Sequence, residues 1–147
     1  MHNVRDILRS KGHAIWSVTP ESTVHEALQL MADKDVGALL VLEEGKIPGI
    51  ISERDYARKV ILQGRSSLST PVRAIMTSRI FFVGPEQTLE ECMVLMTDKR
   101  IRHLPVVEGN KLIGMVSIGD VVKGIIEGQR GLIQQMEDYI LGSPVDR

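Results

Sequence analysis

Gly114-Met115-Val116-Ser117-Ile118-Gly119-Asp120 carries an apolar strand directly into the start of a helix. The stretch 49–55 reads Gly-Ile-Ile-Ser-Glu-Arg-Asp and repeats the glycine, serine and aspartate at the same spacing. A helix start offers free N–H groups and a positive dipole end, which suit an anionic phosphate. A carboxylate one turn later accepts from vicinal hydroxyls such as those of a ribose, and the glycine permits a close approach of a ligand to the backbone.

The same residues have a purely structural interpretation. Ser-x-x-Asp is also a helix-start signature, in which the serine and the aspartate cap each other. The presence of two copies does not separate the two interpretations, because both copies can be caps. The ligand-binding interpretation and the capping interpretation therefore both stay open at this point.

An internal repeat organises most of the chain. At an offset of 65 residues, 15 of the 36 pairs from Pro20/Pro85 to Asp55/Asp120 are identical, and no gap is needed. Many of the other pairs exchange one apolar residue for another, such as Ile51 and Val116. Two related units in tandem are therefore predicted.

Each repeat predicts the order strand, helix, strand, strand, helix. Thr23-x-x-Glu26 and Thr88-x-x-Glu91 fit capping boxes ahead of helices with apolar residues at positions 0, 3, 4 and 7. Hairpin turns rich in Gly and Asn connect the second and third strands. The predicted strands are 15–18, 39–42 and 47–51 in the first repeat, and 80–83, 104–107 and 112–116 in the second.

The predicted boundaries follow the repeats. The first unit spans 1–64, a polar linker spans 65–71, and the second unit spans 72–130. The tail 131–147 carries apolar residues at helical spacing up to Leu141, and we expect a C-terminal amphipathic helix there that covers the core or a partner.

Composition excludes several classes of function. The 147 residues hold 18 Lys and Arg against 19 Asp and Glu, which argues against a nucleic-acid binder. The apolar runs are far shorter than the roughly 20 residues that span a bilayer. One cysteine excludes a disulfide framework, and the four histidines lack ligand spacing, so no metal site is expected. We expect a cytoplasmic protein without a membrane segment.

The motifs together resemble a pair of CBS domains, also called a Bateman module. The resemblance rests on the tandem β-α-β-β-α unit, the Pro-x-x-Thr before the first helix, the Leu-Pro-Val strand and Gly-x-x-Ser-x-x-Asp, and it covers roughly 4–129. It is closest to stand-alone two-domain proteins of bacteria and plant organelles. It implies an α/β fold of two units in pseudo-twofold arrangement, with an adenosine compound bound in a cleft between them.

The resemblance also implies which residues bind the ligand. In that family the aspartate holds the ribose and the serine assists the phosphate, which points to Asp55 and Ser52, and to Asp120 and Ser117. Basic residues before the second strand meet phosphates, and apolar residues line the adenine. The site predicted in this way consists of Val18, Val36, Ala38, Ser52, Arg54, Asp55, Arg58, Val83, Ile101, Arg102, His103, Met115, Ser117 and Asp120.

The function implied is regulatory and not enzymatic. The ligand is AMP, ADP, ATP, an NAD-type dinucleotide or S-adenosylmethionine, and there is no catalytic cofactor. A homodimer and a separate regulated protein are expected as partners. The alternative is a protein–protein interaction scaffold with degenerate nucleotide pockets. A third possibility, hydrolysis of a nucleotide, is not supported, because the sequence shows no general base near residues that would bind a phosphate and a metal.

Overall fold

A computed structural model describes residues 1–141. Its helices and strands, in chain order, are α1 (Val4–Lys11), β1 (Ser17–Val18), α2 (Val24–Lys34), β2 (Ala38–Glu43), β3 (Lys46–Ser52), α3 (Glu53–Tyr56), α4 (Leu89–Lys99), β4 (His103–Glu108), β5 (Lys111–Ser117) and α5 (Ile118–Leu141). A π-helical turn, Ala57–Ile61, continues α3, and a 3-10 turn spans Val72–Ala74. The α/β fold predicted from the sequence is confirmed.

The chain divides into two compact units that do not follow the predicted boundaries. The Asp55 unit consists of Ala14–Phe81, and the Asp120 unit combines Met1–His13 with the chain from Phe82 onward. Residues 1–13, predicted with the first repeat, thus belong with the second. The reason is that α1 is amphipathic and buries Val4, Ile7 and Leu8 within the Asp120 unit.

The Asp55 unit is built on a three-stranded sheet in the order β1-β2-β3. β1 pairs parallel to β2, and β2 pairs antiparallel to β3. α2 begins where the Thr23 hydroxyl oxygen accepts the N–H of Glu26 at 3.1 Å, and it ends at Asp35 in the left-handed conformation. Its buried face joins the core cluster Val24, Ala27, Met31, Leu39, Val41, Ile51, Val60, Val72 and Ile75.

The segment predicted as a linker is part of the Asp55 unit. The N–H of Val24 donates to the Thr70 carbonyl at 2.9 Å, and the N–H of Val72 donates to the Ser22 carbonyl at 2.8 Å. Val72 and Ile75 then enter the core. These backbone bonds fix residues 70–76 against the start of α2.

The Asp120 unit contains the antiparallel pair β4-β5, with His103 opposite Ser117. The strand predicted at 80–83 does not form, because only Val83 pairs, in an isolated parallel bridge to Val106. In the other repeat the N–H of Leu40 donates to the Trp16 carbonyl and extends β1. Pro105 stands at the position of Leu40 and has no N–H to donate, so the ladder ends at Val83.

The C-terminal helix is continuous with the last helix of the second repeat. The predicted C-terminal amphipathic helix is present, and because α5 runs unbroken over Ile118–Leu141, this helix begins before residue 131. Gly128 and Gly131 lie inside it, since a glycine weakens a helix by only about 1 kcal/mol relative to alanine and does not end it. Residues 142–147 of the predicted tail lie outside the described residues.

The two motif glycines are packed against side chains of their own unit. A Cβ on Gly114 would lie 2.7 Å from Leu8 Cδ2, and a Cβ on Gly49 would lie 2.7 Å from Met76 Sδ. The absence of a Cβ at these two glycines therefore makes room for a side chain of the protein itself. The interpretation from the sequence was that they allow a ligand to come close to the backbone.

Within residues 1–141, no helix is long and apolar enough to cross a membrane.

Candidate functional site

Asp120 lies in the first turn of α5, and its carboxylate accepts hydrogen bonds from a backbone N–H group and from a lysine ammonium. The N–H of Ser117 donates to Asp120 Oδ2 at 2.9 Å, and the N–H of Asp120 donates back to Ser117 Oγ at 3.1 Å. Lys11 Nζ, at the end of α1, donates to the same Oδ2 at 2.8 Å and to the Met115 carbonyl at 3.1 Å. The cap predicted from Ser-x-x-Asp is thus formed, and the carboxylate also carries an ion pair.

The charges around Asp120 keep it ionised. Burial alone would raise the pKa of Asp120, but the hydrogen bond and charge of Lys11 and the N–H of Ser117 outweigh it and lower the pKa below the ordinary 3.8. The Asp120 side chain is still 24% exposed. It is therefore an anionic group that solvent reaches.

His103 and Arg102 stand beside this carboxylate at the start of β4. His103 pairs with Ser117 across the sheet, and the carbonyl of Arg102 accepts the N–H of Ile118 at 2.8 Å. Burial lowers the pKa of His103 below 6.5, and the positive charges of Lys11 and Arg102 lower it further, against the opposing effect of Asp120. The imidazole is therefore neutral near pH 7.

Two spaces open near the start of α5. A groove of about 610 Å³ is lined by Arg102, Ile118, Gly119, Val122, Lys123, Ile126, Glu127 and Arg130. It holds three cations and one carboxylate, so its balance is positive. A smaller space of about 40 Å³ lies beside the Lys11–Asp120 ion pair.

Asp55 has the same cap but is far more enclosed. The N–H and the hydroxyl of Ser52 donate to Asp55 Oδ2 at 3.0 and 3.1 Å. Its Oδ1 accepts the Thr77 hydroxyl at 3.1 Å and lies 3.0 Å from Lys59 Nζ. The Asp55 side chain is 9% exposed, against 24% for Asp120. Both carboxylate oxygens are thus engaged by the unit itself.

The other predicted site residues fall into three groups. Ile101, Arg102, His103 and Met115 lie near Ser117 and Asp120 on the same end of β4 and β5. Val83 and Ala38 are each 2% exposed and belong to the core, and Val18 and Val36 pack against the core of the Asp55 unit. Arg54 and Arg58 are exposed on α3 and the turn that follows it.

Three charged or polar partners of the two aspartates were missed from the sequence, namely Lys11, Lys59 and Thr77. One signal was available for Lys11. The two repeats differ in length only upstream, where the first copy has three extra residues around Lys11, Gly12 and His13. In the structure Lys11 reaches Asp120, and His13 Nδ1 lies 2.8 Å from the Ile113 carbonyl oxygen.

No three His, Cys, Asp or Glu side chains of residues 1–141 are grouped so that they can hold an ion. Burial raises the pKa of the Cys92 thiol to about 11, with smaller contributions from Glu91 and Glu90, so this thiol is protonated at neutral pH.

Comparison with known proteins identifies the fold family. The model of the CBS domain matches residues 4–61 and again 72–127. CBSX3, a mitochondrial CBS domain-containing protein of Arabidopsis thaliana, is 44% identical over 95% of this chain and 72% of its own. The CBS domain-containing protein YhcV of Bacillus subtilis is 36% identical over 82% of this chain and 84% of its own.

Solved structures agree with this match. A protein with CBS domains from Burkholderia ambifaria superposes with a TM-score of 0.84 at 52% identity, covering 86% of this chain and 96% of that one. The CBS domain protein NE2398 gives 0.81 at 43% identity, covering 84% and 97%. With two domain matches and the order helix, strand, strand, helix found in both repeats, the chain belongs to the CBS-domain family and carries a tandem pair of these domains.

Proposed function

We propose that this chain is a regulatory module without enzymatic activity, and that it binds an adenosine-containing compound at the Ser117–Asp120 site. The observation that carries the proposal is the contrast between the two motif aspartates. Asp120 is ionised, 24% exposed and surrounded by cationic and polar groups, whereas Asp55 is 9% exposed and saturated by Ser52, Thr77 and Lys59. The ligand site is therefore assigned to the Asp120 unit.

Binding of a ligand at Asp120 replaces part of the contact that the carboxylate makes with Lys11. Lys11 Nζ and the N–H of Ser117 both donate to Asp120 Oδ2, so a ribose bound at this oxygen displaces Lys11 from part of its contact with the carboxylate. Two vicinal hydroxyls then donate to Asp120, as two charge-assisted hydrogen bonds. The released ammonium of Lys11 is free to meet a phosphate, which favours phosphorylated ligands over a bare nucleoside.

The surroundings supply the remaining recognition. Arg102 and Lys123 line a positive groove next to the start of α5, where phosphates are further stabilised by the helix dipole. His103 is neutral near pH 7 and half-buried, which suits contact with an uncharged adenine ring. AMP, ADP, ATP and NAD-type dinucleotides all present these groups together.

The class of ligand has support from a structural neighbour. The CBS domain pair of the protein MJ0100 is 22% identical and has a TM-score of 0.74 over 86% of this chain, and it was solved in complex with 5'-methylthioadenosine and S-adenosylmethionine. That likeness shows a shared fold, and the ligand is carried over here only as a proposal. We further expect self-association and a separate protein that responds to the bound state. The CBS-CP12 protein of bloom-forming cyanobacteria, 25% identical over 93% of this chain, is hexameric.

A thermal-shift panel with AMP, ADP, ATP, NAD, NADH and S-adenosylmethionine tests the proposal. A ligand at a hundred times its dissociation constant stabilises by about 2.7 kcal/mol, which gives a clear rise in Tm. Asp120→Ala is expected to weaken binding by about 10- to 100-fold, the range of charge-assisted hydrogen bonds. Asp55→Ala is the matched control, because it should lower the Tm of the free protein and leave the ligand shift in place.

The competing function is an interaction scaffold, which is favoured by one observation: both Ser-x-x-Asp motifs are already satisfied as caps. It predicts no shift with any adenosine compound. If an extract of the denatured protein also lacks adenine absorbance, so that no ligand was carried through purification, the nucleotide proposal is wrong.

A further inference from the structure

α5 carries an apolar stripe outside the core of its unit. Its members are spaced alternately by four and three residues, namely Val122, Ile126, Gln129, Ile133, Met136 and Ile140. The five apolar members are between 40% and 75% exposed. The opposite side of the helix makes the core contacts, since Val121 and Gly124 are its buried residues. Alternation of four and three is the spacing of the seam between two coiled helices.

The residues that flank this stripe carry complementary charges. With the isoleucines at 126, 133 and 140 as the first position of each heptad, Arg130 and Glu137 occupy the fifth position of successive heptads. Both are exposed, and neither forms an ion pair with another of the residues 1–141. Leu132 and Tyr139 flank the other edge of the stripe and are 56% and 91% exposed.

These flanks determine the orientation of a partner helix. In a parallel pair the fifth position faces the seventh of the other helix, and here that would place Arg130 and Glu137 against apolar side chains. In an antiparallel pair the fifth position faces the fifth. Arg130 then faces Glu137 of a second copy, and Glu137 faces Arg130 of that copy. The pattern is self-complementary, as a twofold interface requires.

The same charges select the register. A shift by one heptad in one direction would place Arg130 against Arg130 of the second copy, and a shift in the other would place Glu137 against Glu137. The remaining register brings Ile133 against Met136 of the second copy, and Leu132 against Tyr139 of the second copy. Gly128 and Gly131 face away from this seam, so they do not interrupt it.

We propose that residues 126–140 of α5 pair antiparallel with the same residues of a second copy of this chain, with Arg130 opposite Glu137 at both ends. The paired segment is about 21 Å long at 1.5 Å per residue. A short helix pair associates only weakly, so the fraction of paired chains should rise with protein concentration. Ile126 and Arg130 also line the groove beside the start of α5, but the pairing does not depend on ligand binding.

Charge reversal tests the proposal in the full chain. In Arg130→Glu, two attractive contacts per dimer become repulsive, and Glu137→Arg does the same. Each single variant should weaken self-association about tenfold in sedimentation equilibrium at about 50 mM salt, which corresponds to about 1.4 kcal/mol. An equimolar mixture of the two variants restores both pairs and should recover the wild-type association. Asp138→Lys reverses a charge at the sixth heptad position, on the side of the helix opposite the seam, and serves as the control.

A cross-link reports on α5 itself, whatever other contacts join the copies. Chains with Leu132→Cys and chains with Tyr139→Cys, distinguished by mass, are mixed and oxidised. The mixed disulfide should dominate, because residues 132 and 139 face each other while two copies of the same position lie about 10 Å apart along the axis. Cys92 does not compete, since it is buried and its pKa is raised to about 11.

The outcomes show whether the apolar stripe is covered by a second copy of this chain or by a different partner. Recovery in the mixture together with a dominant mixed disulfide supports the antiparallel pair. Disulfides formed mainly between identical positions, or as often as the mixed disulfide, overturn the proposed orientation and register. Absence of any α5 cross-link, with association unaffected by either reversal, means that the stripe receives a different partner, and the proposal is then wrong.

Discussion

Substitution of Gly114 by alanine should destabilise the Asp120 unit through one identifiable overlap. The new Cβ would lie 2.7 Å from Leu8 Cδ2 and 3.2 Å from Leu8 Cδ1, and Leu8 is 1% exposed, so it has no free space into which to move. Overpacking of this kind costs about 1–3 kcal/mol. Reduced freedom of the unfolded chain returns roughly 0.4–1 kcal/mol, so we expect a net loss of about 1–2 kcal/mol.

The overlap can be isolated by a double-mutant cycle. Leu8→Ala alone removes a buried side chain and should cost about 2–5 kcal/mol. In the double variant the new Cβ at position 114 enters the space left by Leu8, so its cost should fall below the sum of the single variants by about 0.5–3 kcal/mol. Urea unfolding followed by circular dichroism at 222 nm gives these free energies. For a chain of this size, each kcal/mol also lowers the Tm by about 2–4 °C.

The result also distinguishes two roles for the motif glycine. If Gly114 serves packing against Leu8, the double variant loses less stability than the sum of the two single variants, and its ligand affinity is close to that of the wild type. If Gly114→Ala costs nothing, or if its cost is unchanged in the Leu8→Ala background, the packing explanation is refuted. Gly49→Ala is a second case, with Met76 Sδ at 2.7 Å and the Thr77 carbonyl oxygen at 3.0 Å.

Three further outcomes are expected. The Cys92 thiol should react with Ellman's reagent at pH 8 only as fast as the protein unfolds, because it is buried and its pKa is raised to about 11; fast labelling of the folded protein would contradict this. The pKa of His103 is lowered in the fold, so the unfolded chain binds protons first and the free energy of unfolding should decrease as the pH falls below about 6.5. His103→Gln should flatten that part of the pH profile relative to the exposed control His25→Gln, and equal slopes would exclude His103 as the source. Asp55→Ala should lower the free energy of unfolding by about 1–3 kcal/mol, since it leaves Thr77 and a helix start without their acceptor, and an unchanged Tm would show that these contacts contribute nothing.

Local signals predicted most of the elements correctly. The caps at Thr88 and Ser52 and the positive-φ turn at Gly109 are formed, because each depends on residues within three or four positions along the chain. The cap at Thr23 is half formed, with the N–H of Glu26 donating to its hydroxyl and no reciprocal bond. Periodicity also placed the buried faces of α2 and α4 correctly.

Contacts between residues that are far apart along the chain could not be predicted from the sequence. Lys11 and Asp120 are separated by 109 positions, and nothing local indicates that α1 joins the second repeat. The missing strand before β4 depends on one N–H that Pro105 lacks, a detail visible only once the register of the sheet is known. The two aspartates illustrate the same limit, because identical motifs acquire different exposure from Thr77 and Lys59 on one side and Lys11 on the other.

The exchange of segments between repeats has a consequence for how the chain is made. The Asp55 unit, Ala14–Phe81, is complete as soon as Phe81 has left the ribosome. The Asp120 unit is not, because α1 emerges first and its buried residues Val4, Ile7 and Leu8 must wait for β5 and α5, more than a hundred residues later. During synthesis the residues of α1 are therefore an exposed apolar segment, too short to form a stable helix alone, from which misassembly between nascent chains can begin.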